Sequence, residues 1–141
     1  MIKTVLSIED DNSTQFLNRL FLEESGYCKN MLEVADGLEA LAFFERLENG
    51  EEPKENMPQL ILLDINMPLM GGWEFLDIYT KKYPKFAKFI PVFILSSTMN
   101  PSDKIKVHND NRVVSLLEKP FDFEQIEVVK QLLGVISTSL P

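Results

Sequence analysis

The chain of 141 residues sets 22 Asp and Glu against 14 Lys and Arg, is 45% hydrophobic and 26% charged, and contains one Cys and one His. That is chain enough for one packed domain (core about 3–137) and too little for two. It is too rich in Leu, Ile, Val and Phe for a disordered polypeptide and, at a formal net charge of -8, too acidic for a binder of phosphate backbones, so no nucleic-acid partner is expected.

A single Cys28 and a single His108 exclude an internal disulfide and a Cys/His zinc site. The longest nearly apolar run, Phe89 to Leu95, is broken by Pro91, so no membrane span is expected. With a strand-like run starting directly after Met1 in place of a secretory leader, the expected compartment is the cytoplasm.

Lys3 to Ile8 reads as a first strand, followed directly by Glu9, Asp10 and Asp11. Phe16, Leu17, Leu20 and Phe21 then recur at helical spacing, and Gly26 stands where a left-handed C-terminal cap is wanted, which predicts the first helix. Cys28 to Ala35 is the second strand. The second helix opens at Asp36 with Glu39 at the capping-box position, carries Leu38, Leu41, Ala42 and Phe44 as its apolar face, and ends near Asn49 and Gly50. Residues 48–58, with Gly50, Pro53 and many charges, read as a solvent loop inserted within the domain.

Gln59 to Leu63 is a third strand and Asp64 ends it. A third helix starts near Gly72 and runs through Phe75, Leu76 and Tyr79 until Tyr83 and Pro84 stop it. Lys81, Lys82, Lys85 and Lys88 form the one basic cluster, read as a solvated helix end and loop. Ile90 to Leu95 is the fourth strand, followed by Ser96 and Ser97. The fourth helix starts at Asn100-Pro101-Ser102-Asp103 and is expected to be short and loosely held, with only Ile105 and Val107 as anchors. Val113 to Leu117 is the fifth strand, with Lys119 beyond it. The last helix begins at Asp122 with Gln125 at the capping-box position and carries Ile126, Val129, Leu133 and Ile136, widened by Val128, Leu132 and Val135. That wide stripe suits deep packing against the sheet and a partner surface, including a dimer, equally well.

Five alternating units predict a doubly wound α/β fold, a five-stranded parallel sheet with five helices on its two faces. In such sheets ligands bind beyond the carboxyl ends of the strands, where Glu9, Asp10, Asp11, Asp64, Ser96, Ser97 and Lys119 all fall. Asp64 is the sharpest signal. A carboxylate directly after Leu60-Ile61-Leu62-Leu63 needs a crevice or a partner, and the loop up to Gly72 is too long for it to cap the next helix. If the first and third strands are neighbours, three carboxylates converge, and two like charges about 4 Å apart repel by roughly 4 kcal/mol at an effective dielectric of about 20. Such a cluster takes up protons or holds a cation, and all-oxygen ligands open to solvent suit magnesium. Lys119 would face the same crevice with a fixed positive charge, in a resting ion pair with Asp64, and Ser96 would add a hydroxyl. Taken alone, Ser96 reads as a strand-end hydroxyl bonding local backbone, and Asp11 as a helix cap.

Leu60-Ile61-Leu62-Leu63-Asp64-Ile65-Asn66-Met67-Pro68-Leu69-Met70-Gly71-Gly72, with Ile8-Glu9-Asp10-Asp11, Leu95-Ser96-Ser97 and Glu118-Lys119-Pro120-Phe121, resembles the CheY-like receiver domain of bacterial two-component response regulators over essentially the whole chain. The resemblance implies strand order 2-1-3-4-5. It makes Asp64 the phosphoacceptor, taking a phosphoryl group from a phosphohistidine of a sensor histidine kinase or phosphotransfer protein. It also makes Glu9 and Asp10, with Asp64 and the backbone carbonyl of Asn66, the ligands of Mg2+ or Mn2+. Ser96 matches the hydroxyl that closes over the phosphoryl group, Lys119 the motif's lysine, and the Lys119-Pro120 bond is expected to be cis. Asn66 and Thr98 occupy the positions that influence phosphoryl lifetime.

Two departures matter. The acidic pair is Glu-Asp rather than Asp-Asp; an alternative register pairs Asp10 with Asp11, and Glu9 with Asp10 is preferred because they follow Ile8 directly. Leu116 stands where many receivers carry an aromatic switch residue, so any Ser96 movement would have to be coupled to the fourth helix by packing alone, and phosphorylation is expected to repack Ser96 to Val107.

With only Ser137 to Pro141 expected after the last helix, the resemblance is to a stand-alone receiver, a phosphoacceptor and not an enzyme of small-molecule turnover, whose signal passes to a downstream protein or along a phosphorelay. Two other readings compete: a non-phosphorylated receiver-like binding module, and an aspartyl-phosphate-forming phosphatase. The presence together of acceptor, acidic pair, hydroxyl and lysine weighs against the first. Against the second, Asp64-Ile65-Asn66 lies on the third strand, whereas haloacid dehalogenase relatives carry DxD on the first. Neither GxGxxG nor GxxxxGK followed by Ser or Thr occurs, so no nucleotide cofactor is expected.

Overall fold

In the computed structural model, which describes residues 2–98 and 100–139, five parallel strands form one sheet in the order β2-β1-β3-β4-β5. They are β1 (Ile2–Ile8), β2 (Cys28–Val34), β3 (Leu60–Asp64), β4 (Val92–Ser96) and β5 (Ser115–Glu118). The connecting helices are α1 (Asn12–Ser25), α2 (Gly37–Glu48), α3 (Gly72–Lys82), α4 (Pro84–Phe89), α5 (Pro101–His108) and α6 (Phe123–Ser139), with a 3-10 turn at Lys54–Asn56. The pairing register sets Ile8 beside Leu63, Asp64 beside Leu95 and Ser96 beside Glu118, so the carboxyl ends of four strands finish at one level.

Among the described residues there are six helices rather than the five expected. Pro84 does stop α3, but its fixed φ and missing N–H suit the first position of a helix, and the chain re-enters helix at once as α4. Phe86 holds that extra helix against the body, its ring 5.5 Å from Phe44 and 6.2 Å from Tyr83. The inserted loop is likewise tied down: Arg46 Nε and Asn56 Nδ2 both donate to Glu52, and Thr4 Oγ1 donates to Glu55 O.

Side chains alternate between the two faces of the sheet, and each face has its own core. Leu6, Ile8, Ile61, Leu63, Val92 and Ile94 pack under α2 to α5, while Val5, Leu60, Leu62, Phe93, Leu95 and Leu117 pack under α1 and α6. Capping follows the sequence closely. Asp11, Asp36 and Asn100 accept N-terminal amides of α1, α2 and α5, Gln125 N donates to Asp122 Oδ1 at the start of α6, and Gly26 closes α1 at φ 68°. Glu39 completes the α2 box by accepting from Ala35 N, one residue before the cap.

Several buried faces differ from the apolar patterns. In α1 the inward residues are Gln15, Asn18 and Leu22, while Phe16 is 64% exposed and Leu17 and Leu20 are also exposed. In α2 they are Ala40, Phe43 and Phe44, with Leu38 and Ala42 outside. In α5 only Val107 is buried, and Ile105, expected as an anchor, faces solvent. In α6, Ile126 and Val129 are buried and Val128, Leu132 and Leu133 pack partly against the core, whereas the side chains of Val135 and Ile136 lie outside the described residues.

Candidate functional site

Glu9 and Asp10 leave the end of β1, Asp64 ends the neighbouring β3, and one carboxylate oxygen from each lies within 4.8 Å of the other two. Glu9 and Asp64 are buried and Asp10 is exposed, so the cluster reaches solvent at Asp10. Asp11 belongs to α1 instead: its Oδ2 accepts from Thr14 N at 2.9 Å and Thr14 Oγ1 at 2.6 Å, which holds its carboxyl below the ordinary carboxylate range. Of the two registers open in the sequence, the structure therefore clusters Glu9 with Asp10 and turns Asp11 away.

Lys119, just beyond β5, crosses to this cluster. Its Nζ lies 2.6 Å from Glu9 Oε1, in a charge contact off the line of a hydrogen bond, and 3.3 Å from Asp64 Oδ1. Burial pushes the Glu9 carboxyl up to about 7, only partly countered by Lys119, while the nearby Asp64 charge adds to the rise. Burial also disfavours the Lys119 ammonium, but the pull of Glu9 and Asp64 outweighs it and holds the lysine above its ordinary value. Three clustered carboxyl groups, two of them against the one ammonium, leave an all-oxygen, acidic donor set that fits a hard divalent cation.

Asp64 is held by its own loop, with Asn66 N donating to its Oδ1 at 3.2 Å. That loop folds back so closely that Gly72 N donates to Ile65 O at 2.9 Å, and a Cβ on Gly72 would stand 2.6 Å from Asp64 O. Ser96 is buried at the end of β4, but its hydroxyl donates to Thr98 O at 2.6 Å and accepts from Thr98 N at 3.2 Å. In this state Ser96 is engaged with local backbone. Thr98 and Asn66 are exposed at the rim. The Lys119-Pro120 peptide bond is cis. Leu116 is partly buried and, with Lys104, Val107 and His108 of α5, lines a cavity of about 490 Å³.

Two residues that support the site were not singled out in the sequence. Gln15 Nε2 donates to Ser7 O, Glu9 O and Val34 O at 3.0, 3.2 and 3.3 Å, clamping the ends of β1 and β2, and Asn18 Oδ1 accepts from Phe121 N at 3.4 Å in the loop after Lys119. Their only signal is two amides three residues apart on a helix that offers apolar side chains elsewhere.

The model of the response regulator receiver domain matches residues 5–130. Response regulator Rcp1 of Synechocystis is 35% identical over 103 residues, covering 73% of this chain and 67% of that protein. The polar-differentiation response regulator DivK of Brucella ovis is 29% identical, covering 95% and 98%. Against the sensor histidine kinase CheAY of Helicobacter pylori, the chain is 31% identical over 89% of its own length and spans 14% of that protein. Among solved structures, a two-component response regulator from Cytophaga hutchinsonii superposes with a TM-score of 0.82 at 26% identity, covering 94% and 98%. The Mn(2+)-bound form of Rcp1 superposes with a TM-score of 0.67 at 29% identity, covering 96% and 92%.

Proposed function

The chain belongs to the response regulator receiver domain family of two-component signalling, and we propose that it takes its phosphoryl group on Asp64. The observation that carries this is the convergence of Glu9, Asp10 and Asp64, with Lys119 set against them, at the carboxyl edge of the sheet.

The donor in this reading is a phosphohistidine of a sensor histidine kinase or phosphotransfer protein. An Asp64 carboxylate oxygen attacks phosphorus, the O–P bond forms as the P–N bond breaks, and the electron pair leaves with the imidazole, which takes a proton from solvent. Asn66 N fixes Oδ1, so the other oxygen is the attacking atom. Glu9, Asp10, Asp64 and the backbone carbonyl of Asn66 would hold a divalent cation, Mg2+ in this proposal with Mn2+ as substitute. When bound, that ion supplies positive charge to the phosphoryl oxygens. The Lys119 ammonium adds a second fixed charge once the phosphoryl group draws it from Glu9.

Ser96 gives up its bonds to Thr98 and donates to the acquired phosphoryl group, and the segment from Ser96 to Val107 repacks with it. The signal is read by a downstream protein or passed along a relay, and slow autodephosphorylation on the domain itself resets it. Among the described residues no helix is long and apolar enough to cross a membrane, and we place the protein in the cytoplasm.

Intact-mass measurement after incubation with Mg2+ and acetyl phosphate tests this. One base-labile phosphoryl adduct, absent in Asp64→Ala, is the expected result. No adduct supports a non-phosphorylated module, and sustained turnover of small phosphate esters supports a phosphatase.

A further inference from the structure

The inserted loop and the extra helix, two features with no part in the phosphoryl site, meet at the opposite end of the sheet. Met57, Pro58 and Gln59 lead into β3, and Lys85, Phe86, Phe89 and Ile90 lead toward β4; between them lies a cavity of about 520 Å³. A second cavity of about 430 Å³, lined by Leu47, Glu48, Pro84, Lys85 and Phe86, adjoins it across Phe86 and Lys85. The walls are held in place, since Phe86 is anchored on Phe44 and Tyr83 and the loop is pinned through Glu52 and Glu55. On its rim Phe89 is 77% exposed and Met57 39% exposed, so the slot continues into apolar surface.

The charge on the α4 wall of this groove is the reverse of the molecule's, while the facing loop carries Glu48, Glu51 and Glu55. The chain carries a net -8, yet Lys81, Lys82, Lys85 and Lys88, all exposed, place four of its 14 basic residues within eight positions on and beside α4. Lys88 Nζ stands 5.8 Å from the centre of the Phe89 ring, so cation and apolar anchor form one patch. A concave apolar slot flanked on its α4 side by ammonium groups selects a segment that inserts one large apolar side chain and turns carboxylates toward α4.

We propose that the groove between α4 and the inserted loop docks an acidic segment of a partner protein, with a single aromatic or leucine side chain seated among Met57, Phe86 and Phe89 and carboxylates paired with Lys85 and Lys88. Because the groove opens at the amino ends of β3 and β4 while Asp64 lies at the carboxyl end of β3, this docking is independent of phosphorylation. It gives the domain a tether that leaves the acceptor free.

The test is fluorescence anisotropy with a short synthetic peptide in which Asp and Glu flank one Phe, beside two controls, the same peptide with Ser for Phe and a version with Lys for the acids. The full chain should bind the acidic Phe peptide about tenfold more tightly than either control. Binding should weaken with salt, fall by about tenfold in Lys85→Glu and in Phe89→Ser, and stay unchanged in Asp64→Asn. Both groove positions are exposed, and equal urea midpoints for wild type and variants confirm that the fold is intact. No preference for the acidic Phe peptide, binding that survives both groove substitutions, or tighter binding of anionic phosphatidylglycerol vesicles or of a second copy of the chain would overturn the proposal. Loss of binding in Asp64→Asn would overturn its independence from the phosphoryl site.

Discussion

Lys119 stands closer to Glu9 than to Asp64, 2.6 Å against 3.3 Å, so the ammonium that faces the acceptor is held chiefly by the buried acid beside it. Filling the site with a cation therefore redistributes the charge that Lys119 balances. Mg2+ is expected to raise thermal stability, by about 2.7 kcal/mol at a free concentration about 100 times its Kd. In Glu9→Gln that Kd should rise by about tenfold or more, read by isothermal titration calorimetry, and EDTA should abolish adduct formation from acetyl phosphate. Equal Mg2+ affinity in wild type and Glu9→Gln would remove Glu9 from the ligand set.

Gly72 carries a second expectation. A methyl group there would meet Asp64 O at 2.6 Å and Ile65 Cα at 3.0 Å, both backbone atoms that cannot swing aside. Gly72→Ala should cost about 1–3 kcal/mol in urea denaturation and slow phosphorylation by shifting the Asp64 loop. Gly37→Ala is the contrast, since its new methyl meets only the flexible side chain of Met70 and should cost less. Equal losses at the two positions would show that the Asp64 loop yields as readily as a methionine.

The sole tryptophan reports on α5. Lys106 Nζ lies 4.5 Å from the centre of the Trp73 ring, joining α5 to the start of α3. If Ser96 leaves Thr98 for the phosphoryl group and α5 repacks, Trp73 emission should change on phosphorylation, and amide exchange over residues 96–108 should change with it. Ser96→Ala should still accept a phosphoryl group while losing both responses. Emission and exchange that stay constant in the phosphorylated wild type would mean that α5 does not carry the signal.

Arg112 joins Asp77 of α3 to Asp110 after α5, with Nη1 2.7 Å from Asp77 and Nη2 2.7 Å from Asp110. Hydrogen bonding to Arg112 holds the Asp110 carboxyl below its ordinary value of 3.8. A group depressed in the folded state contributes stability above its unfolded value and loses it as pH falls through the folded one. Denaturation midpoints of the wild type should therefore drop more steeply below about pH 4 than those of Asp110→Asn. Arg112→Ala should cost about 1–2 kcal/mol at neutral pH. Parallel pH curves for wild type and Asp110→Asn would show the pair to be energetically silent.

Much of the molecule was legible along the chain because the signals concerned are local. Strand runs, capping residues such as Asp36 and Asp122, and the left-handed Gly26 each depend on a few neighbouring positions. The acidic and polar residues of the site were legible for a related reason: a carboxylate ending an apolar strand, as Asp64 does, has little else to do but face a crevice.

Orientation was not legible, because it depends on what a helix packs against. The apolar repeat of α1 places Phe16 outside and buries Gln15 and Asn18, since carbonyls at the ends of β1 and β2 and an amide after Lys119 need partners that only side-chain amides supply. Pro84 could be seen to end one helix but not to begin another, because α4 exists by the seat that Phe44 and Tyr83 provide for Phe86. The amino-acid sequence by itself determined the elements, their order and the acids at the strand ends. Only tertiary structure decided that Lys119 leans on Glu9 and that a basic cluster and an inserted loop enclose a groove, because each depends on distances between residues far apart in the chain.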